Sequence, residues 1–380
     1  MFEYFPTNYT WNLGLNSVFS CGGNISEIEE ACRPLKEAAV EGGAAAQEAW
    51  YESWMKVAST VERLAGEDER AGNKLGAGRK YQRACVYYIS AERMMPHSDA
   101  RKALAYKRVL AAFRKGIELR GEPMEWVDAP YADGPLPAIF VPAAGEGPAP
   151  CMICFDGLDV MKETLYFRVR NDFRLRGVSV LFVDHPGVGE ALRLRELYAR
   201  HDSEVPAAAC IDYLEGRADV DSGRIGMMAN SLGGYYAPRA AAFEKRLKCC
   251  VAWGAFWSYE FTMKNRKKGT GSVPGIEAHR MWVAGKDTFE EAIEVFQKFT
   301  LEGVAEQITC PLLIVHGEND RQVGLAQAEM TYEAAVNSPK RELKVFSLAD
   351  TGAEHCQVDN TDMFVDYAAH WVAETLGAQG

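Results

Sequence analysis

From Gly121 to the C-terminus, short apolar runs of strand length alternate with longer segments of helical spacing. The runs are Met124–Val127, Leu136–Val141, Cys151–Phe155, Val178–Val183, Ile225–Ala229, Cys249–Trp253, Leu312–His316 and Leu343–Phe346. Helical patterns fall between and after them at Ala207–Leu214, Gly233–Phe243 and Asp362–Leu376. A strand that returns through a helix to its neighbour runs parallel to it, and a parallel sheet needs helices on both faces to stay out of water. The first runs are instead separated by Gly/Pro-rich turns such as 144–148, the mark of antiparallel pairing. The expected fold is therefore α/β, a mostly parallel central sheet flanked by helices.

Two stretches stand outside this rhythm. Before Gly121 the periodicity is helical throughout: Ser26–Val40, with a capping signal at Ser26 and Glu29 and a kink at Pro34, then Ala44–Leu64, Lys80–Met94 and Ala100–Leu119. Between Ser258 and Gln307 a loop and two helical runs, Ile276–Val283 and Thr288–Phe299, delay the return of the sheet. An insertion there reads as a lid over the strand ends. The expected organisation is an N-terminal helical region over 1–120, a core over 121–257 and 308–380, and a helical lid over 258–307.

Composition narrows the partners. A net charge of −11 argues against nucleic acid, and the basic stretch Lys264–Lys268 is short enough to be a solvated loop. The N-terminus lacks a basic start followed by an apolar run, and no segment is apolar for long enough to span a bilayer, so a cytoplasmic protein with no membrane partner is expected. In that setting the ten cysteines are expected to be free thiols. Cys151 and Cys154 form a C-x-x-C inside an apolar run, where a core role is expected rather than metal or redox chemistry.

The chemistry concentrates at Ile225-Gly226-Met227-Met228-Ala229-Asn230-Ser231-Leu232-Gly233-Gly234. A strand, a small residue, a serine and a glycine lead directly into a helix, the pattern of a nucleophile elbow with Ala229 in place of the first glycine. Small side chains two before and two after the serine let strand and helix approach. The turn lifts Ser231 above the sheet edge and puts the Leu232 N–H at a helix N-terminus, where it can hold an oxyanion. A serine needs a base, and of seven histidines His355 lies in a polar loop after the last strand, the place from which a base can reach. The acid that orients it is expected in the turn after Leu313–His316, with Asp320 chosen and Glu318 the alternative. The order Ser, Asp, His is that of an α/β-hydrolase. A second oxyanion donor is expected from the loop 155–159, at Gly157 or Leu158. Trp253, Phe256, Trp257, Tyr259 and Trp282 are candidates to line a pocket for a bulky apolar or aromatic substrate, and Glu260 is the charged member of that run.

Over nearly its whole length the sequence resembles the 2,6-dihydroxypseudooxynicotine hydrolase and polyketide-shortening hydrolase family. The likeness is carried by Trp50-Tyr51-Glu52-Ser53-Trp54, Tyr81-Gln82-Arg83-Ala84, the Asp156-Gly157-Leu158 loop, Asp184-His185-Pro186-Gly187-Val188-Gly189 and the elbow itself. The resemblance implies cleavage of a carbon–carbon bond beside a ketone in a small molecule, with no metal or organic cofactor. It also implies helical cap elements, with a cap or dimerisation role for 1–120, a homodimer, and an additional active-site glutamate for which Glu260 is the nearest candidate. A carboxylesterase acting on a bulky ester, and a hydrolase-fold binding protein without catalysis, are the alternatives.

Overall fold

Pairing of the apolar runs produces one eight-stranded sheet in a computed structural model that describes residues 1–158, 160–265, 269–271 and 273–378. The strands are β1 (Glu125–Ala129), β2 (Leu136–Val141), β3 (Ala149–Phe155), β4 (Ser179–Val183), β5 (Val220–Asn230), β6 (Cys250–Trp253), β7 (Leu312–Gly317) and β8 (Arg341–Phe346). Their order is β1-β2-β4-β3-β5-β6-β7-β8. β1 with β2 and β2 with β4 are antiparallel, and every later pair is parallel. β2, β3, β4, β6, β7 and the last six residues of β5 are buried nearly throughout, which is why they read as continuous apolar runs rather than alternating ones.

β3 lies between β4 and β5, so the chain leaves β3 to one side and later returns on the other. The loops that follow β3 and β5 therefore diverge, and the crevice between them at the carboxyl edge of the sheet is where open α/β sheets bind ligands.

The chain divides into two units, Met1–Pro123 with Lys268–His279, and Met124–Lys267 with Arg280–Gly380. The first is built on helices α1 (Tyr9–Ser20), α2 (Ile25–Cys32), α3 (Lys36–Glu41), α4 (Gly43–Arg70), α5 (Lys74–Arg93) and α6 (Ala100–Arg120). Trp50 and Trp54, one turn apart on α4, are fully buried. They continue a run of rings from Trp11, at 4.7 Å from Trp50, to Tyr87, at 5.7 Å from Trp54. Pro34 does break the first long pattern: a single 3₁₀ turn, Arg33–Leu35, separates α2 from α3. The cap of α2 differs from expectation, because Asn24, not Ser26, accepts the free N–H, that of Ser26 itself.

The second unit carries α7 (Lys162–Val169), α8 (Asp172–Leu175), α9 (Gly189–Arg195), α10 (Glu204–Glu215), α11 (Gly233–Phe243), α12 (Tyr259–Asn265), α13 (Ile276–Ala284), whose residues up to His279 group with the first unit, α14 (Phe289–Phe296), α15 (Ala326–Ala334) and α16 (Thr361–Thr375). Thr288 and Glu291 form a capping box that starts α14. Phe296 at its end, and Phe299 and Leu301 just beyond it, belong to the main hydrophobic core cluster. Within the expected lid, 268–279 groups with the N-terminal helices, where Thr10 Oγ1 donates to the Gly271 carbonyl at 2.7 Å. Most of the basic stretch Lys264–Lys268 lies outside the described residues, as does Asp159. All ten cysteines are buried and none is in a disulfide, with Cys151 and Cys154 within β3. Among the described residues no helix is long and apolar enough to cross a membrane.

Candidate active site

Steric demands at the end of β5 shape the elbow. Ser231 takes a φ of 60°, a left-handed conformation that a side chain adopts at a cost of about 1–3 kcal/mol unless its surroundings enforce it. They do: its N–H donates to the Trp253 carbonyl at the end of β6 at 2.8 Å, and its carbonyl accepts from Gly234 at 2.8 Å. Because Ala229 carries a methyl, Gly233 cannot: a Cβ there would stand 2.6 Å from that methyl. The alanine and the following glycine thus share one steric allowance, which explains why Ala229 is tolerated.

His355 brings Nε2 to 2.9 Å from Ser231 Oγ, and its Nδ1 lies 2.7 Å from Asp320 Oδ2. The other Asp320 oxygen accepts the N–H groups of Gln322 and Val323 at 2.8 and 2.9 Å. Burial alone would raise the Asp320 pKa, but His355 and these donors outweigh it, and the net shift is downward. Burial works in the same way against a charged His355. The Asp320 carboxylate overrides it and holds the imidazole pKa above the ordinary histidine value. Glu318 is exposed and spends one oxygen on the Leu348 N–H at 2.9 Å, so it is Asp320 that meets the imidazole.

The loop after β3 lies directly over the elbow. A Cβ on Gly157 would fall 2.7 Å from both the Asn230 carbonyl oxygen and Ser231 Cβ, so only glycine permits this approach. The Gly157 N–H, however, turns back to Asp156 Oδ1 at 2.7 Å. That engagement corrects the expectation that Gly157 offers its amide to a substrate and leaves Leu158 as the candidate from this loop. Leu232, at the N-cap of α11, is the candidate from the elbow.

A family model for FrsA-like esterases matches residues 42–277, and one for the prolyl oligopeptidase family matches 176–379. The chain belongs to the FrsA-like esterase family. It is 32% identical over 361 residues to the α/β-hydrolase xenA of Xenoacremonium sinensis, covering 84% of this chain and 83% of that one. It is 28% identical to the 2,6-dihydropseudooxynicotine hydrolase of Paenarthrobacter nicotinovorans, over 81% of this chain and 79% of the relative. The crystal structure of a 2,6-dihydroxy-pseudo-oxynicotine hydrolase superposes with a TM-score of 0.77 at 26% identity, covering 95% of each chain. The fold is that of an α/β-hydrolase, and the protein is a hydrolase.

In this FrsA-like hydrolase the aromatics expected to line a pocket differ in their surroundings. Trp253 is fully buried, stacked on Phe364 at 3.7 Å, and donates its indole N–H to Gln357 Oε1 at 2.7 Å. It is core, and cannot line a pocket. Phe256, Trp257 and Tyr259 are buried in the main hydrophobic core cluster, with Tyr259 stacked on Phe296 at 5.3 Å. Trp282 is half-buried with the Arg193 guanidinium 5.2 Å from its ring. Glu260, the nearest candidate for an additional active-site glutamate, is exposed in the first turn of α12.

Several contributors escaped the sequence. Glu354 is buried and receives Asn319 Nδ2 at 2.8 Å and Arg321 Nη2 at 3.2 Å, which ties the loop bearing Asp320 to the loop bearing His355. His316 donates from Nε2 to the Val323 carbonyl at 2.8 Å and closes the acid turn. Cys356 has a left-handed φ of 49° and sets its Sγ 3.7 Å from His355 Nε2, the nitrogen that faces the serine. Only proximity of Glu354 and Cys356 to His355 in the sequence hinted at these roles.

Proposed function

We propose that the protein is a serine hydrolase with Ser231 as nucleophile, His355 as general base and acid, and Asp320 as the group that orients the imidazole. The observation that carries this reading is the unbroken relay of 2.9 and 2.7 Å from Ser231 Oγ through the ring to Asp320. In the first step Oγ bonds to a substrate carbonyl carbon while its proton passes to Nε2, and the carbonyl π pair moves onto oxygen. The Leu232 and Leu158 amides hold that oxyanion, each contributing about 3–4 kcal/mol to the barrier reduction when well placed. Collapse breaks the bond to the leaving group, which takes its electron pair and then the imidazolium proton. Water, deprotonated by His355, releases the acyl group as an acid and restores Ser231.

The proposed substrate is a ketone of an aromatic or polyketide-like small molecule, cleaved at the carbon–carbon bond beside the carbonyl. The leaving carbanion must then be stabilised as an enolate or by an electron-rich ring. The named activity of the Paenarthrobacter relative, and that of the 20-hydroxy-prefusarin hydrolase of Gibberella moniliformis, 29% identical over 70% of this chain, support this class. The match to an esterase family model favours a second reading, hydrolysis of a bulky ester. Turnover of an aryl ketone or 1,3-diketone set against p-nitrophenyl esters decides between them. Strong ester hydrolysis without ketone cleavage rejects the first.

A further inference from the structure

Both polar groups of the peptide unit joining Asp156 to Gly157 are engaged. Its carbonyl accepts from His185 Nε2 at 3.0 Å, and its N–H donates to Asp156 Oδ1 at 2.7 Å. A carbonyl can only accept, so Nε2 carries the ring proton. The imidazole is itself immobilised: it stacks on Phe155 with centroids 4.5 Å apart and meets Tyr236 edge-on at 4.7 Å, and it is 2% exposed. Burial lowers its pKa to about 4, so the ring is neutral at physiological pH. Rotating this peptide plane would break two hydrogen bonds between buried groups, each broken bond leaving a buried group that costs about 1–3 kcal/mol.

The clamp lies one peptide upstream of the amide offered to substrate. Gly157 rests against the elbow, with its Cβ position 3.2 Å from the Leu232 nitrogen. Once the plane before Gly157 is fixed, the direction of the Leu158 N–H is set by a single residue's backbone. Resting on the serine-hydrolase reading above, we infer that His185 is a positioning residue: its Nε2–H locks the Asp156–Gly157 peptide and thereby aims the Leu158 N–H at the oxyanion. A core histidine kept only for packing would tolerate another ring of its size. A clamp would not.

The rate at which an alkyl fluorophosphonate labels Ser231 in the full chain, followed by intact mass, tests this, because the phosphoryl oxygen occupies the oxyanion position. His185→Phe keeps the ring stack and loses the N–H, whereas His185→Gln loses the ring and keeps an N–H at similar reach. Outright loss of one oxyanion donor slows acyl chemistry about 100- to 1,000-fold, so misaiming one is expected to slow labelling about 10- to 100-fold in His185→Phe, with recovery to within about fivefold of wild type in His185→Gln. Asp156→Leu, which releases the Gly157 N–H, is expected to slow labelling comparably and stands in should His185→Phe not fold. Labelling of His185→Phe or Asp156→Leu within about threefold of wild type overturns the clamp, as does His185→Gln proving as slow as His185→Phe. Absence of Ser231 labelling in the folded wild-type chain overturns the underlying serine reading instead.

Discussion

β5 and β6 are neighbours that end side by side, Asn230 opposite Trp253, yet they finish in opposite ways. β5 runs into a left-handed residue, Ser231, that holds a small polar side chain against the imidazole. β6 ends in a large aromatic that turns into the core and anchors Gln357. One end is shaped by backbone strain and carries the proposed nucleophile. The other is shaped by side-chain packing and holds the first in place, since the Trp253 carbonyl receives the Ser231 N–H. Reactivity and rigidity are thus divided between adjacent strands.

The comparison is sharpest at the serine. Ser231→Ala is expected to cut turnover by about 10⁴-fold or more while leaving the urea midpoint within the range of an ordinary surface change. A comparable rate in the variant would break the contrast at once. Asp320→Asn should lower the rate about 10⁴-fold by misorienting the imidazole. It should also move the acid limb of the kcat/KM profile. Asp320 raises the His355 pKa, and the base works only when neutral, so wild-type activity rises at a pH above the usual histidine value, and the variant's rise should come at lower pH. A limb that stays put, or moves upward, contradicts the pairing.

Trp253→Ala examines the other strand end. It removes a fully buried indole and leaves Gln357 without its donor, for an expected loss of about 3–5 kcal/mol in urea unfolding. A stable variant with altered substrate preference would instead return Trp253 to a pocket. Asp156 offers a subtler test. Burial pushes its pKa up to about 7, so the folded chain holds a proton there that the unfolded chain gives up near pH 4. Stability from this group is therefore present at low pH and lost as pH rises through about 7, a difference on the order of a few kcal/mol. Asp156→Asn should gain melting temperature over wild type at pH 8, keep only a minor part of that advantage at pH 5 and lose it below about pH 4. Smallest of all, Glu260→Gln should leave kcat within about twofold, the range for an exposed charge away from the reacting atoms.

The elbow was legible because its requirement is local: two small residues flanking a serine between strand and helix need no knowledge of distant contacts. The strand runs were legible because sheet burial removes alternation, leaving apolar blocks that end within a few residues of the observed strands. His355 and Asp320 followed from their places after particular strands. Trp253 was misread because an aromatic at a strand end carries no mark of which face it takes. Its neighbour Phe364 is more than a hundred residues away. Glu354 and His185 stayed hidden for a related reason, since each acts through a backbone or side-chain partner about 30 residues distant. Gly157 was half-read: the need for glycine was visible, but not that its amide folds back on Asp156.

The ten thiols described above are all shielded by the native structure. A maleimide dye should therefore find little to react with until the chain opens, and a single cysteine introduced on an exposed helical surface would become a selective attachment point. The same shielding makes the count of modified sulfurs a direct readout of how far unfolding has progressed, from none toward ten.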